Sequence, residues 1–144
     1  MPALWSACGR GDIRAARLAV QGGADVNERN VYNMTPLMWA AVRGAADISE
    51  WLLQQPGIDL DCSDNGGYTA MHYACMTSSV AVLRMLLAAQ SQGSINKRDN
   101  LGRTPLMCAS EFGQVECVRM MVGVAGVDLK TRDEEGRSLE DRTR

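Results

Sequence analysis

The sequence predicts an all-α solenoid, one domain over residues 1–144 made of stacked helix-turn-helix units joined by β-hairpin-like loops. Three observations lead there. A block headed by threonine recurs at Thr35, Thr69 and Thr104, 34 and then 35 residues apart, and self-similarity at such a period marks a repeat architecture. Each block holds short runs with apolar residues at helical spacing, such as Ile48, Trp51 and Leu52, or Val82, Met85 and Leu86. Between blocks lie the polar stretches "ADVNERNVYNM", "IDLDCSDNGGY", "SINKRDNLGR" and "VDLKTRDEEGR", with Asn33, Gly67, Gly102 or Gly136 at one fixed place.

The elements follow in order. Counting back 33 residues from Thr35 reaches Pro2 and sets Leu4 on Leu37, Ala7 on Ala40 and Gly11 on Gly44, so the first unit runs over about 2–33. The others span about 34–67, 68–102 and 103–136. Thr35-Pro36 and Thr104-Pro105 are helix starts: the hydroxyl caps free amides, and proline at the first helical position has a preset φ and lacks only an N–H that would go unpaired. Thr69-Ala70 keeps the cap without the proline. Gly11, Gly44 and Gly113 follow the first helices, as suits a residue with positive φ; Ser78 departs from that pattern. Helices of eight to ten residues are too short to stand alone, since isolated helices are marginal below about 12–15 residues, so each unit must pack on its neighbours. The loops read as extended, hairpin-like turns closed by a residue able to take left-handed geometry. A partial unit remains at 137–144, with Ser138 in the threonine register and Leu139 where proline belongs; it is expected to form a short polar cap or to fray.

Composition narrows the partners. Fifteen basic against seventeen acidic residues give a net charge of −2, without the basic stripe that nucleic acid demands. No apolar stretch approaches the roughly 18–20 residues of a membrane span, and the N-terminus has no basic-then-apolar signal region. Cys8, Cys62, Cys75, Cys108 and Cys117 make an odd, scattered set that fits reduced thiols used as small apolar side chains. A cytoplasmic or nuclear protein, monomeric by itself, is the expectation.

The register carries a specific resemblance. "TPLMWAAVRG", "TAMHYACMTS", "TPLMCASEFG" and "GGADVNERN" resemble the ankyrin repeat, with its T-P-L-H-x-A signature and period of about 33. The match covers nearly the whole chain. It also departs in places: Met38 and Met107 stand where the signature has histidine, which only His72 retains. One extra residue precedes the loop after the second and fourth blocks, and two after the third.

His72, with Cys75 three residues on and Cys62 ten before, invites a metal reading, but C-x9-H-x2-C lacks a fourth ligand and is no recognised spacing. Cys75 falls in the slot of Cys8, Ala41 and Ser110, a place for small side chains. The resemblance implies instead that His72 hydrogen-bonds Thr69, making Thr35, Thr69, His72 and Thr104 structural. No nucleophile elbow, phosphate loop, H-E-x-x-H or dinucleotide fingerprint is present, so neither an enzyme nor a cofactor is expected. Arg10-Gly11-Asp12 matches an adhesion tripeptide but occupies the helix break of the first unit.

Recognition remains. Stacked two-helix units form an extended concave surface, and the resemblance implies that partners touch the loop tips and the two positions after the small-residue pair of each first helix. Tip positions are Val31, Tyr32 and Met34; Asn65, Gly66 and Tyr68; Asn100, Leu101 and Arg103; and Glu134, Glu135 and Arg137. Helix positions are Gly9 and Arg10, Val42 and Arg43, Met76 and Thr77, and Glu111 and Phe112. The predicted contact set is Tyr32, Met34, Arg43, Tyr68, Met76, Arg103 and Phe112, with Trp39 and Tyr73 at the groove edge and Trp51 on the outer face. The expected function is non-enzymatic capture of a partner protein or peptide. Two other classes compete: a methylated-lysine reader caging its ligand between Trp39, Tyr68 and Tyr73, and a small inhibitory or scaffolding subunit.

Overall fold

A computed structural model describes residues 3–89, 92–124, 126–130, 133 and 135–137. The expected cap from Ser138 onward, and Glu134 of the last tip, lie outside them. The helices are α1 (Ala3–Arg10), α2 (Ile13–Gln21), α3 (Pro36–Arg43), α4 (Ala46–Leu53), α5 (Ala70–Met76), α6 (Val80–Ala89), α7 (Gln92–Ile95), α8 (Pro105–Glu111) and α9 (Val115–Val122). First helices α1, α3, α5 and α8 pack side by side in one layer, and second helices α2, α4, α6 and α9 in another. The chain is an all-helical solenoid. Among the described residues the one unforeseen helix is α7, a single four-residue turn that takes in the two-residue insertion and runs into the start of the third loop.

Local chemistry starts and stops these helices. The hydroxyls of Thr35, Thr69 and Thr104 accept from the amides of Met38, His72 and Met107, three residues on, satisfying donors that no helical turn can reach. The first unit has no such threonine, and the Trp5 amide donates instead to Glu28 Oε1 at 3.1 Å. After the first helices the chain turns through positive φ at Gly11, Gly44 and Gly113. Ser78, set aside as a departure, takes the same geometry with φ 56°. The tertiary frame imposes the turn on a residue that holds it at about 1–2 kcal/mol.

The loops contain no strand among the described residues; they are fourfold copies of one side-chain-organised turn. Asn30 Oδ1 accepts from the amides of Tyr32 and Met34, Asp64 Oδ1 from Gly66 and Tyr68, Asp99 Oδ1 from Leu101 and Arg103, and Asp133 Oδ1 from Glu135 and Arg137. This is the Asx turn, in which a short polar side chain replaces a ladder partner. Asn33, Gly67, Gly102 and Gly136 close the turns with φ 65–80°. Gly67 is demanded twice over: besides its φ, a Cβ there would stand 2.7 Å from the Asn100 amide of the next tip. The tips are stitched together by Asn65 N–H to the Tyr32 carbonyl and Asn100 N–H to the Gly66 carbonyl, both 3.0 Å.

Packing repeats as faithfully as the turns. Leu4, Leu37, Met71 and Leu106 fill one slot, and Ala7, Ala40, Ala74 and Ala109 another, all of them buried. The alanines let neighbouring first helices approach closely, and the large residues fill what remains. Side chains of one unit also finish the preceding helix: Thr77 and Ser79 hydroxyls donate to the Ala41 carbonyl, and Gln114 Nε2 to the Met76 carbonyl. Both carbonyls lie in the last turn of their helices, where acceptors outnumber helical donors; that of Ala41 also accepts from the Gly44 amide.

Candidate partner-binding surface

Repeat register places the candidate residues in columns. Tyr32, Gly66, Leu101 and Glu135 occupy equivalent places on successive tips, and Arg10, Arg43, Thr77 and Phe112 equivalent places at the ends of the first helices. Val31 is 87% exposed, Tyr32 65%, Phe112 53% and Leu101 51%. Leu18 and Val115 on the second helices are as open, so what marks these residues is their clustering at the tips and first-helix ends rather than exposure alone. Arg43 is also exposed, its guanidinium 5.7 Å from the centroid of the Trp39 ring. Trp39 is half-buried, and its indole stacks on Trp5 at 4.8 Å. Gly9 makes room for this, because a Cβ there would come within 2.3 Å of Trp39 Nε1.

Two members of the predicted contact set face inward. Met34 is 9% exposed and joins the core cluster. Arg103 is 7% exposed: Nε meets Asp99 Oδ2 at 2.9 Å, Nη1 meets Glu111 Oε2 at 2.7 Å, and Nη2 donates to Tyr68 Oη at 2.8 Å. A guanidinium so occupied is a structural hub rather than a free fork for a partner. Both residues precede the capping threonine of their unit, where the chain turns in from the loop, and tip position alone could not tell inward from outward.

Tyr68, Tyr73 and Met76 are half-buried between these extremes. Tyr73 donates its hydroxyl to the Asp64 carboxylate, and its ring lies 5.4 Å from that of Tyr68. Burial raises the pKa of both phenols, and Asp64 raises that of Tyr73 further, so both remain neutral hydrogen-bonding groups. The three rings considered for a methylammonium cage are thus committed separately: Trp39 to Trp5 and Arg43, and the tyrosines to each other and to the polar network.

His72 is fully buried. Nδ1 accepts from the Thr69 amide at 3.2 Å and lies 3.0 Å from its hydroxyl, while Nε2 reaches the Arg103 carbonyl at 2.9 Å. Accepting at Nδ1 fixes the tautomer with hydrogen on Nε2, and burial lowers the pKa so that the ring is neutral. The contact to the next unit is an addition to the expected bond with Thr69. Trp5 occupies the same register slot and makes the same kind of link, Nε1–H to the Met34 carbonyl at 3.3 Å. Both carbonyls belong to the residue before the next capping threonine.

Tertiary folding also sets Asp99 and Cys108 beside His72, their possible ligand atoms within 4.8 Å of one another. Cys108 is not one of the cysteines near His72 in sequence, and Cys62 Sγ donates to the Asp59 carbonyl. Every ligand atom of the new trio is engaged: the imidazole on both nitrogens, Asp99 by two amides and Arg103, and Cys108 by Asp99. A cation would have to displace this network, so the trio is a polar core. Burial raises the thiol pKa of Cys75, Cys62 and Cys117, and lifts that of Cys8 to about 12, leaving small, unreactive side chains.

No helix among the described residues is long and apolar enough to cross a membrane. A family model described as ankyrin repeats (3 copies) matches residues 1–64 and 53–133. An ankyrin repeat protein of Rickettsia bellii is 33% identical over 94 residues, covering 65% of this chain and 92% of that protein. A second from the same organism is 27% identical over 111 residues, 76% of this chain and 60% of its own length. The mouse protein fem-1 homolog A-like is 29% identical over 99 residues; these are 69% of this chain but 14% of that protein. Such repeats are generally protein–protein interaction modules and generally not enzymes. Repeat register, turn chemistry and sequence similarity agree: the chain belongs to the ankyrin-repeat family.

Proposed function

We propose that this chain is a non-enzymatic binding module that captures a partner protein or peptide on its loop tips and first-helix ends. The observation that carries this reading is the alignment of exposed apolar side chains, Tyr32, Leu101 and Phe112, in repeat-equivalent columns on a rigid frame. Aromatic residues and arginine are enriched at interface centres, and a surface fixed by packing loses little entropy on binding. Arg43 adds a charged donor, Val31 a second apolar tip, and Met76, Trp39, Tyr68 and Tyr73 a half-buried floor. Met34 and Arg103 support this surface from beneath. Five cysteines, none of them in a disulfide, suit a reducing compartment, the cytoplasm or nucleus.

Capture from lysate with quantitative mass spectrometry tests the reading. The triple variant Tyr32→Ser, Leu101→Ser, Phe112→Ala is expected to lose the proteins held stoichiometrically by the wild type, with its helical circular dichroism unchanged. Full retention of those partners by the folded triple variant would place binding elsewhere.

A further inference from the structure

Resting on the reading above, we infer that the favoured occupant is an extended peptide carrying two acidic residues about three positions apart and an apolar residue about six positions beyond the second. The column at the first-helix ends reads Arg10, Arg43, Thr77, Phe112: two cations, a small polar residue, then an exposed aromatic. First helices packed side by side stand roughly 8–10 Å apart, and an extended chain advances about 3.3 Å per residue. One repeat therefore corresponds to about three residues of peptide. Arg10 and Arg43 are one repeat apart, and Phe112 lies two repeats past Arg43.

Both cations are available. Among the described residues Arg43 has no carboxylate partner; it rests against Trp39, which limits its rotamers and leaves its N–H edge to meet a carboxylate in bidentate fashion. It also borders a cleft of about 340 Å³ shared with Thr77 and Ser79. Arg10 bonds Ser6 Oγ and lies 4.0 Å from Asp12, both charged side chains about half exposed, a pairing that a better-placed carboxylate can displace.

Selection from a displayed library of random 16-residue peptides, run on the full chain, tests this. The wild type is expected to enrich an acid pair spaced three apart with an aromatic or aliphatic residue five to seven positions further on. In fluorescence anisotropy, a selected peptide is expected to lose affinity about tenfold for the variant Arg10→Glu/Arg43→Glu and to weaken with added salt. A copy with both acids replaced by lysine is expected to recover on that variant. Enriched peptides without the acid pair, or equal binding to wild type and double variant, overturn this inference while leaving the binding module intact. Peptides that bind the Tyr32→Ser, Leu101→Ser, Phe112→Ala variant as well as the wild type overturn both.

Discussion

The junction between the first two repeats and that between the last two solve one problem with different chemistry. At the first, Trp5 sends its ring N–H to the Met34 carbonyl and stacks on Trp39. At the last, His72 sends Nε2–H to the Arg103 carbonyl, and around it stand Asp99, Arg103, Glu111 and Tyr68 in one bonded network. The slot wants a ring N–H directed at the next unit, and either indole or imidazole supplies it. Indole brings apolar area and carries no titratable proton. Imidazole brings a second nitrogen for its own unit, and with it a dependence on pH. The second repeat has Met38 in this slot and does without the latch.

The sharpest way to break the symmetry is at the charges. Asp99→Ala removes the turn organiser and a carboxylate 1% exposed beside Arg103, and is expected to lower unfolding free energy by about 3–5 kcal/mol, since it strands a buried charge. Urea denaturation followed by circular dichroism checks this; a loss under 1 kcal/mol would mean that Glu111 and water compensate fully. His72→Met, copying the second repeat, should lose about 1–3 kcal/mol by orphaning the Thr69 amide and one Arg103 carbonyl interaction. The same variant tests the pH dependence. His72 titrates in the folded chain below its ordinary value of 6.5, so just below pH 6.5 the unfolded state binds more protons. The stability of the neutral ring is therefore complete above pH 6.5 and falls as pH drops through the window beneath it, by at most about 1.4 kcal/mol per pH unit. Thermal melts between pH 5 and 8 should show this component in the wild type and lack it in His72→Met.

Trp5→Phe keeps most of the apolar bulk and deletes the N–H, so a loss of about 1–2 kcal/mol without any change of pH slope is expected at the first junction. A slope change there would couple the two ends of the stack. The smallest effect is a gain: Ser78→Gly relieves positive φ in the third repeat and should raise the melting midpoint, equivalent to about 0.5–1 kcal/mol. Its hydroxyl contact with Cys117 offsets part of that gain, and an outright loss would show this contact to outweigh the backbone strain.

Legibility in the sequence tracked the range of the physics. Thr35, Thr69 and Thr104 were readable as caps because a cap involves residues three apart, and Asn33, Gly67, Gly102 and Gly136 as turn closers because a positive φ is a property of one residue. Asn30, Asp64, Asp99 and Asp133 are equally local and equally periodic, each three residues ahead of the closing residue, and that spacing is the signal of the side-chain-organised turn. Surface residues divided on the same line. Tyr32, Arg43 and Phe112 are exposed where register put them, whereas Met34 and Arg103 turned inward because partners such as Tyr68, 35 residues back along the chain, receive them.

The repeat period, the helix starts, the left-handed turns and the small-residue slots are written in residues a few positions apart, within a single unit. Which ring nitrogens latch neighbouring repeats, that Ser78 adopts a glycine's geometry, that His72, Asp99 and Cys108 meet, and that Arg43 stays exposed while Arg103 is buried emerge only on folding. Those outcomes depend on stacking one unit against the next, where the contacting atoms lie roughly thirty residues apart in the chain and no local preference encodes them.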